Sequence, residues 1–204
     1  MKSELKQLIG LPGVSGTEGP VLDWLQEKLE SVGEVCRDAM GNLLVHRKGS
    51  GKKLMLTTPV DLPGLMVTQL EDGGTARVGT LGPLEPWMYV GRTVTMSEGS
   101  QAVVRSHGSG SNCRAEDLYL DLSDGPVAIG ETASFSPAWH ETVESIGASY
   151  LSARGGCAIL LQLLQNLKAG SWDLYVVFTV QGQLGNRGIG DVYKRQDRKV
   201  VLSL

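Results

Sequence analysis

The stretch from Gly155 to Val180 limits the fold more than any other part of the chain. Ile159, Leu160, Leu163, Leu164 and Leu167 give a helix over about 155–168 a broad apolar face, and Ala169-Gly170 ends it. Leu174 to Val180 then reads as a strand buried on both faces. Such a strand has to be covered on both sides, the usual condition of a parallel sheet in an α/β layer. The chain is therefore expected to be α/β in class.

Upstream, Leu5, Leu8 and Ile9 form a short amphipathic pattern that the glycines of the 10–16 segment interrupt. A second helix is predicted from about Pro20 to Val32, with Leu22, Leu25, Leu29 and Val32 at helical spacing. Pro20 suits its first turn and Gly33 a left-handed C-terminal cap. Strands are predicted at Leu43–His46, Leu54–Thr58 and Leu65–Val67. From Gln69 to Gly147 the sequence becomes a series of short strand-like runs, at 76–78, 93–96, 102–105 and 118–122, divided by Gly, Ser and Pro. That spacing predicts a small all-β unit, a compact barrel or sandwich. The expected organisation is an α/β domain over 1–68 and 148–190, an inserted β domain over 69–147, and a separate tail over 191–204.

Composition narrows the function classes. Hydrophobic residues make up 41% and charged residues 20%, which fits a folded globular protein. A net charge of -3 without a basic stripe argues against nucleic-acid binding. The longest uncharged apolar runs, such as Ala158–Leu164, are far below the roughly 20 residues that a membrane helix needs. Met1 to Lys6 leads directly into charged amphipathic sequence, so no signal peptide is expected and the expected address is cytoplasmic. Cys36, Cys113 and Cys157 fit neither a disulfide framework nor a metal knuckle and are expected to be buried or inert thiols.

Five separated motifs, in order, carry a family resemblance. They are Leu11-Pro12-Gly13-Val14-Ser15-Gly16-Thr17-Glu18, Asp38-Ala39-Met40-Gly41-Asn42-Leu43, Asp117-Leu118-Tyr119-Leu120-Asp121, Arg154-Gly155-Gly156-Cys157-Ala158, and Val180-Gln181-Gly182-Gln183-Leu184-Gly185. Over about Leu5 to Ile189 the chain resembles the di-zinc glutamyl and tetrahedral aminopeptidases, a family that includes endoglucanase M-like proteins. The resemblance implies a three-layer αβα metallopeptidase domain, here incomplete, with an inserted small β barrel. It also implies two zinc or cobalt ions, which two-metal hydrolysis holds roughly 3.5–4 Å apart with a base for the nucleophilic water.

The positions that this chemistry would use are changed. The family's His-x-Asp falls on Pro59-Val60-Asp61, so the imidazole is replaced while Asp61 is retained. Its bridging aspartate falls on Ser152, its general-base glutamate on Gly182 and a metal-binding glutamate on Gln183. No cofactor is therefore predicted for this chain, and no aminopeptidase activity is expected. A lone Asp61 also reads as a turn-capping residue. The resemblance further implies self-assembly through the β insert, where Trp87, Met88 and Tyr89 form an apolar cluster, either core or contact surface; a peptide ligand is a second candidate partner.

Other features are weaker. His46, His107 and His140 have no metal-ligand spacing and are expected at the surface or satisfied. Gly185-Asn186-Arg187-Gly188-Ile189-Gly190 lacks P-loop spacing and reads as a turn. From Gly190 the resemblance stops. Asp191-Val192-Tyr193-Lys194-Arg195-Gln196 is similar to the translated end of a transposon used in sequencing-library preparation, so 191–204 is expected to be an artefactual tail on a truncated protein. Two alternatives stay open: an active hydrolase whose site is rebuilt from residues beyond 190, and a non-enzymatic interaction module formed by the β insert.

Overall fold

The computed structural model describes residues 1–122, 125, 127–167, 172–195 and 201–203. In chain order its elements are α1 (Lys2–Gly10), α2 (Gly19–Leu29), β1 (Glu34–Arg37), β2 (Leu43–Arg47) and β3 (Lys53–Pro59). Six strands follow: β4 (Gly64–Glu71), β5 (Thr75–Leu81), β6 (Thr93–Met96), β7 (Gln101–Ser106), β8 (Leu118–Leu122) and β9 (Thr132–Phe135). The chain continues as β10 (Trp139–Glu141), β11 (Ile146–Ala148), α3 (Leu151–Asn166), β12 (Asp173–Thr179), α4 (Arg187–Arg195) and β13 (Val201–Ser203). Contacts divide it into two units, Met1–Asp61 with Pro137–Leu204, and Leu62–Ser136.

The first unit is the α/β layer. Its sheet has the order β1-β2-β12-β3-β13, with β12 parallel to β3 and β13 also parallel to β3. The sheet is mixed, because β1 and β2 form an antiparallel hairpin and β2 runs antiparallel to β12. For the hairpin the cause is the short turn at 38–42, which leaves no length for a crossover. Leu174, Val176 and Phe178 of β12 point into one core with Leu5, Leu8, Leu22, Leu25, Leu29, Leu160, Leu161 and Leu164 of the helices. Val177 points the other way, against Met55 and Val192 of α4. The alternation of one strand between two apolar environments is why 174–178 carries no charged side chain.

Several local expectations shift. α3 begins at Leu151, before the predicted Gly155; its first turn, Leu151 to Arg154, carries no apolar periodicity that would mark it in the sequence. Its buried face is Cys157, Leu160, Leu161 and Leu164, while Ile159 is exposed. Lys168, Ala169 and Gly170, where the helix was expected to end, lie outside the described residues. Gly33 is not a left-handed cap. It is the site of a close approach, since a Cβ there would stand 2.6 Å from the His46 carbonyl oxygen.

The second unit is a closed barrel of strand order β4-β5-β8-β7-β6-β9. Leu65, Val67, Val94, Val104, Leu118, Leu120 and Ala133 fill its core. Its limits, 62–136, lie earlier than the expected 69–147. The strand at 65–67 belongs to β4, which pairs with β5 and β9 of the barrel. The hairpin β10–β11 belongs to the α/β unit, where Trp139 and Ala148 pack against the core. Trp87 and Met88 are exposed, whereas the ring of Tyr89 lies 4.2 Å from that of Phe135.

The tail continues the first unit. α4 places Val192 in the second apolar cluster, and β13 aligns Val201, Leu202 and Ser203 with Met55, Leu56 and Thr57. Gln196 to Val200 lie outside the described residues. Among the described residues no helix is long and apolar enough to cross a membrane. Cys113 and Cys157 are buried, but Cys36 is exposed, because β1 is an edge strand with little covering it.

His46 links the strands of the hairpin edge. Its Nε2 lies 2.7 Å from Asp173 Oδ1, its Nδ1 lies 3.5 Å from Glu34 Oε2, and its ring stacks on Tyr175 at 4.1 Å. The hydrogen bond to His46 is the main reason that the Asp173 carboxyl is held below the usual carboxylate range. A lowered folded value means that the contribution is complete above the ordinary range and is lost as pH falls through the folded value. Asp173→Asn should therefore lower the urea midpoint at neutral pH, with the gap to the parent closing as pH falls from roughly 5. Phe178 is fully buried in the main core, and Phe178→Ala should cost about 3–5 kcal/mol in urea unfolding.

Candidate functional site

β12 ends at Thr179, and the chain then turns sharply before α4. Gln181 and Asn186 have φ of 54° and 57°, and Gly185 has 82°. Within the turn, Asn186 N–H donates to the Gly182 carbonyl at 3.0 Å and Gly188 N–H to the Val180 carbonyl at 3.2 Å. The first N–H groups of the turn have no neighbouring strand to pair with, and three side chains take them. Val180 N–H donates to Asn42 Oδ1 at 3.0 Å, Gln181 N–H to Glu18 Oε1 at 2.8 Å, and Gln183 N–H to Asp61 Oδ2 at 2.7 Å.

Each acceptor is itself held in place. Asn42 is fully buried, and its Nδ2 donates to Asp38 Oδ2 at 2.8 Å and to the Gly188 carbonyl at 3.1 Å. Asp38 Oδ1 accepts from the Met40 and Asn42 N–H groups, both at 2.9 Å, which closes the β1–β2 turn. A Cβ at Gly188 would overlap Asn42 Oδ1 and the Val180 carbonyl, so that glycine is fixed by packing. Glu18, next to the start of α2, and Asp61, after β3, are buried too. The motifs around Glu18 and Asn42 thus hold the turn after β12. Sequence reasoning gave neither residue a role at the site; their motif positions were the signal.

The structure brings Pro59, Asp61, Gly182 and Gln183 together. A Cβ on Gly182 would stand 2.8 Å from Asp61 Oδ1 and 3.4 Å from Pro59 Cβ. Asp61 is fully buried, and its Oδ1 has no hydrogen-bond partner among the described residues. Ser152 is exposed in the first turn of α3 and makes no hydrogen bond to this group among the described residues.

Two residues further on, Arg154 is buried and donates from Nη2 to the Leu11 carbonyl at 3.1 Å. Burial pulls its pKa below the ordinary value, opposed by its neighbours Cys157, Asp61, Tyr150 and Glu18. A Cβ at Gly13 would lie 2.8 Å from Arg154 Nη2, which accounts for a glycine in the N-terminal motif. Cys157 Sγ donates to the Pro59 carbonyl at 3.7 Å, and burial is the chief cause of its thiol being pushed up to about 12. At neutral pH that thiol is protonated and a poor nucleophile.

The donor inventory is short. Proline and glycine side chains offer no donor, Ser152 and Gln183 are neutral, and one oxygen of Asp61 is committed to Gln183 N–H. Among the described residues, no three or more His, Cys, Asp or Glu side chains are grouped so that they could hold a metal ion. The three histidines have surroundings of their own: His46 pairs with Asp173, His107 stacks on Tyr119 at 4.6 Å, and His140 is exposed in β10.

The sequence profile of the M42 glutamyl aminopeptidases matches residues 41–204, four fifths of the chain and past Gly190. The chain belongs to the M42 glutamyl aminopeptidase family. Among relatives, it is 30% identical over 195 residues to an aminopeptidase-named protein of Acetivibrio thermocellus, with 90% of this chain and 59% of that one aligned. Among solved structures, an endoglucanase-titled protein of Thermotoga maritima has a TM-score of 0.84 at 26% identity, covering 98% of this chain and 64% of that one. The Pyrococcus horikoshii TET1 peptidase has a TM-score of 0.88 at 19% identity, covering 100% and 68%, and shows the same fold; that protein is described as assembling into a tetrahedron or a large octahedral shell. The chain spans about three fifths of the length of the curated M42 relatives that it matches.

If the turn depends on the Asn42 carboxamide, Asn42→Ala strands the Val180 N–H in the interior. The expected loss is about 1–3 kcal/mol in urea unfolding, with faster exchange of the Val180 amide proton.

Proposed function

We propose that this M42 chain keeps the peptidase fold without its hydrolytic chemistry and serves as a structural, assembly or peptide-binding subunit. The observation that carries the reading is the pairing of Gly182 with Asp61. Where the resemblance implies a base, there is no side chain, and the adjoining carboxylate is occupied in holding the turn. Pro59 and Ser152 extend the same pattern to a histidine and a bridging aspartate. This donor set does not fit a pair of divalent metals, because a bridging site needs at least one carboxylate shared by both ions and further charged or imidazole ligands around them. No activated water follows from these residues.

Self-association through the β insert, assigned to 69–147 from sequence, is part of the proposal. Its support is the assembly described for the TET1 peptidase and the exposure of Trp87, Met88 and Val90 on the barrel unit. The proposed setting is the cytoplasm.

A second reading is favoured by one fact: about two fifths of the length of the relatives lies outside what this chain matches. An active metal-dependent aminopeptidase would then draw its ligands from sequence beyond residue 190. Both readings are tested on the gene product expressed from its complete genomic locus. The inactive reading expects less than one zinc or cobalt per chain by elemental analysis and no release of N-terminal residues from a peptide library with either metal added. Two bound ions with metal-dependent release would establish the second reading instead.

A further inference from the structure

A guanidinium carries five N–H donors and keeps its charge at any ordinary pH. Arg154 is fully buried in the first turn of α3, and its Nη2 donates to the Leu11 carbonyl at 3.1 Å. Its Nε and Nη1 are buried too, with no hydrogen-bond partner among the described residues. Unmet donors on a buried charged group are among the costliest a fold can carry.

Unmet acceptors belong to the segments around it. Asp61 Oδ1, Ser15 Oγ and Gln181 Oε1 are buried without a hydrogen-bond partner among the described residues. Asp61 is drawn to this end of α3 by Cys157, one turn beyond Arg154, whose Sγ bonds the Pro59 carbonyl. Ser15 follows Leu11 and Gly13, the two residues that meet Arg154 Nη2, and Gln181 N–H is held by Glu18 of the same motif. The charges of Asp61 and Glu18 both act on the guanidinium.

The chemistry of what joins these groups follows by elimination. An anion would enter a place that already holds two buried carboxylates to one guanidinium. A metal ion would be repelled by that guanidinium and would find a single charged oxygen without a partner. Water both accepts and donates, and a buried water makes about three hydrogen bonds to polar groups that lack other partners.

We infer that the α/β unit holds a structural water site between Arg154 and Asp61. Water there accepts from Nε–H or Nη1–H of Arg154 and donates to Asp61 Oδ1, with Ser15 Oγ and Gln181 Oε1 as further partners. It supplies the donor that the Pro59 side chain does not offer. Both oxygens of Asp61 are then engaged, Oδ2 by the Gln183 N–H at 2.7 Å and Oδ1 by the water. The water thereby couples α3 to the turn after β12.

The test uses the full chain with its arginines labelled with nitrogen-15 and reads magnetisation transfer from water to each Nε–H. The Arg154 signal, assigned by its loss in Arg154→Lys, should show a water cross peak with the sign of a long-lived bound molecule. It should also exchange with solvent at least about tenfold more slowly than the signal of exposed Arg114. A crystal structure of the same protein should place a water within hydrogen-bond distance of both Arg154 and Asp61 Oδ1. A direct Arg154–Asp61 ion pair, an ion in place of the water, or the absence of the cross peak overturns the inference. Where Arg154→Lys does not fold, the crystal structure of the parent decides by itself. Both readouts are taken without peptide or added metal, so this result and the metal and activity assays can fail separately.

Discussion

The organisation of the α/β unit depends on three side-chain acceptors meeting one turn. Val180, Gln181 and Gln183 leave the sheet with their N–H groups inside the protein and no strand beside them. A buried N–H without an acceptor costs about 1–3 kcal/mol, so the turn can persist only where acceptors are supplied from elsewhere. Glu18, Asn42 and Asp61 supply them from the start of α2, the β1–β2 turn and the segment after β3. Segments far apart in sequence are thereby tied to the end of the central strand.

That arrangement brings buried charge with it. Glu18 and Asp61 are carboxylates inside the unit, and Arg154 is a buried guanidinium whose field includes both. Isolated, each would be expensive to bury; within reach of one another the charges offset part of that cost. The family-like Arg154-Gly155-Gly156-Cys157 segment thus contributes a buried cation on the Leu11 carbonyl and a thiol hydrogen bond to the end of β3. The barrel unit, by contrast, rests on an apolar interior and on closure of its strands, which leaves no sheet edge unpaired.

Much of the fold was legible in the sequence, and the exceptions have physical causes. β12, α2 and most barrel strands were readable because apolar periodicity reports burial of a face. β1 and the β10–β11 hairpin were not, since their strands are short and mostly exposed and carry little apolar pattern. The limits of the barrel were misplaced because Leu65–Val67 looks alike as a strand of either unit. At the site, the residues standing in family positions could be named from motifs, but the motifs alone did not show what Glu18, Asn42 or Asp61 bind.

The sequence by itself determined the α/β class, the inserted β unit and which chemical groups are present at Pro59, Asp61, Ser152, Gly182 and Gln183, because composition and motif order are local properties. Only the tertiary structure decided that Asp61 lies against Gly182, that Gly33 and Gly188 are glycines of close approach, and that the N-terminal motifs grip the turn after β12. Those facts are distances between residues separated by long stretches of chain, and such distances are fixed by packing of the whole unit rather than by any run of neighbouring residues.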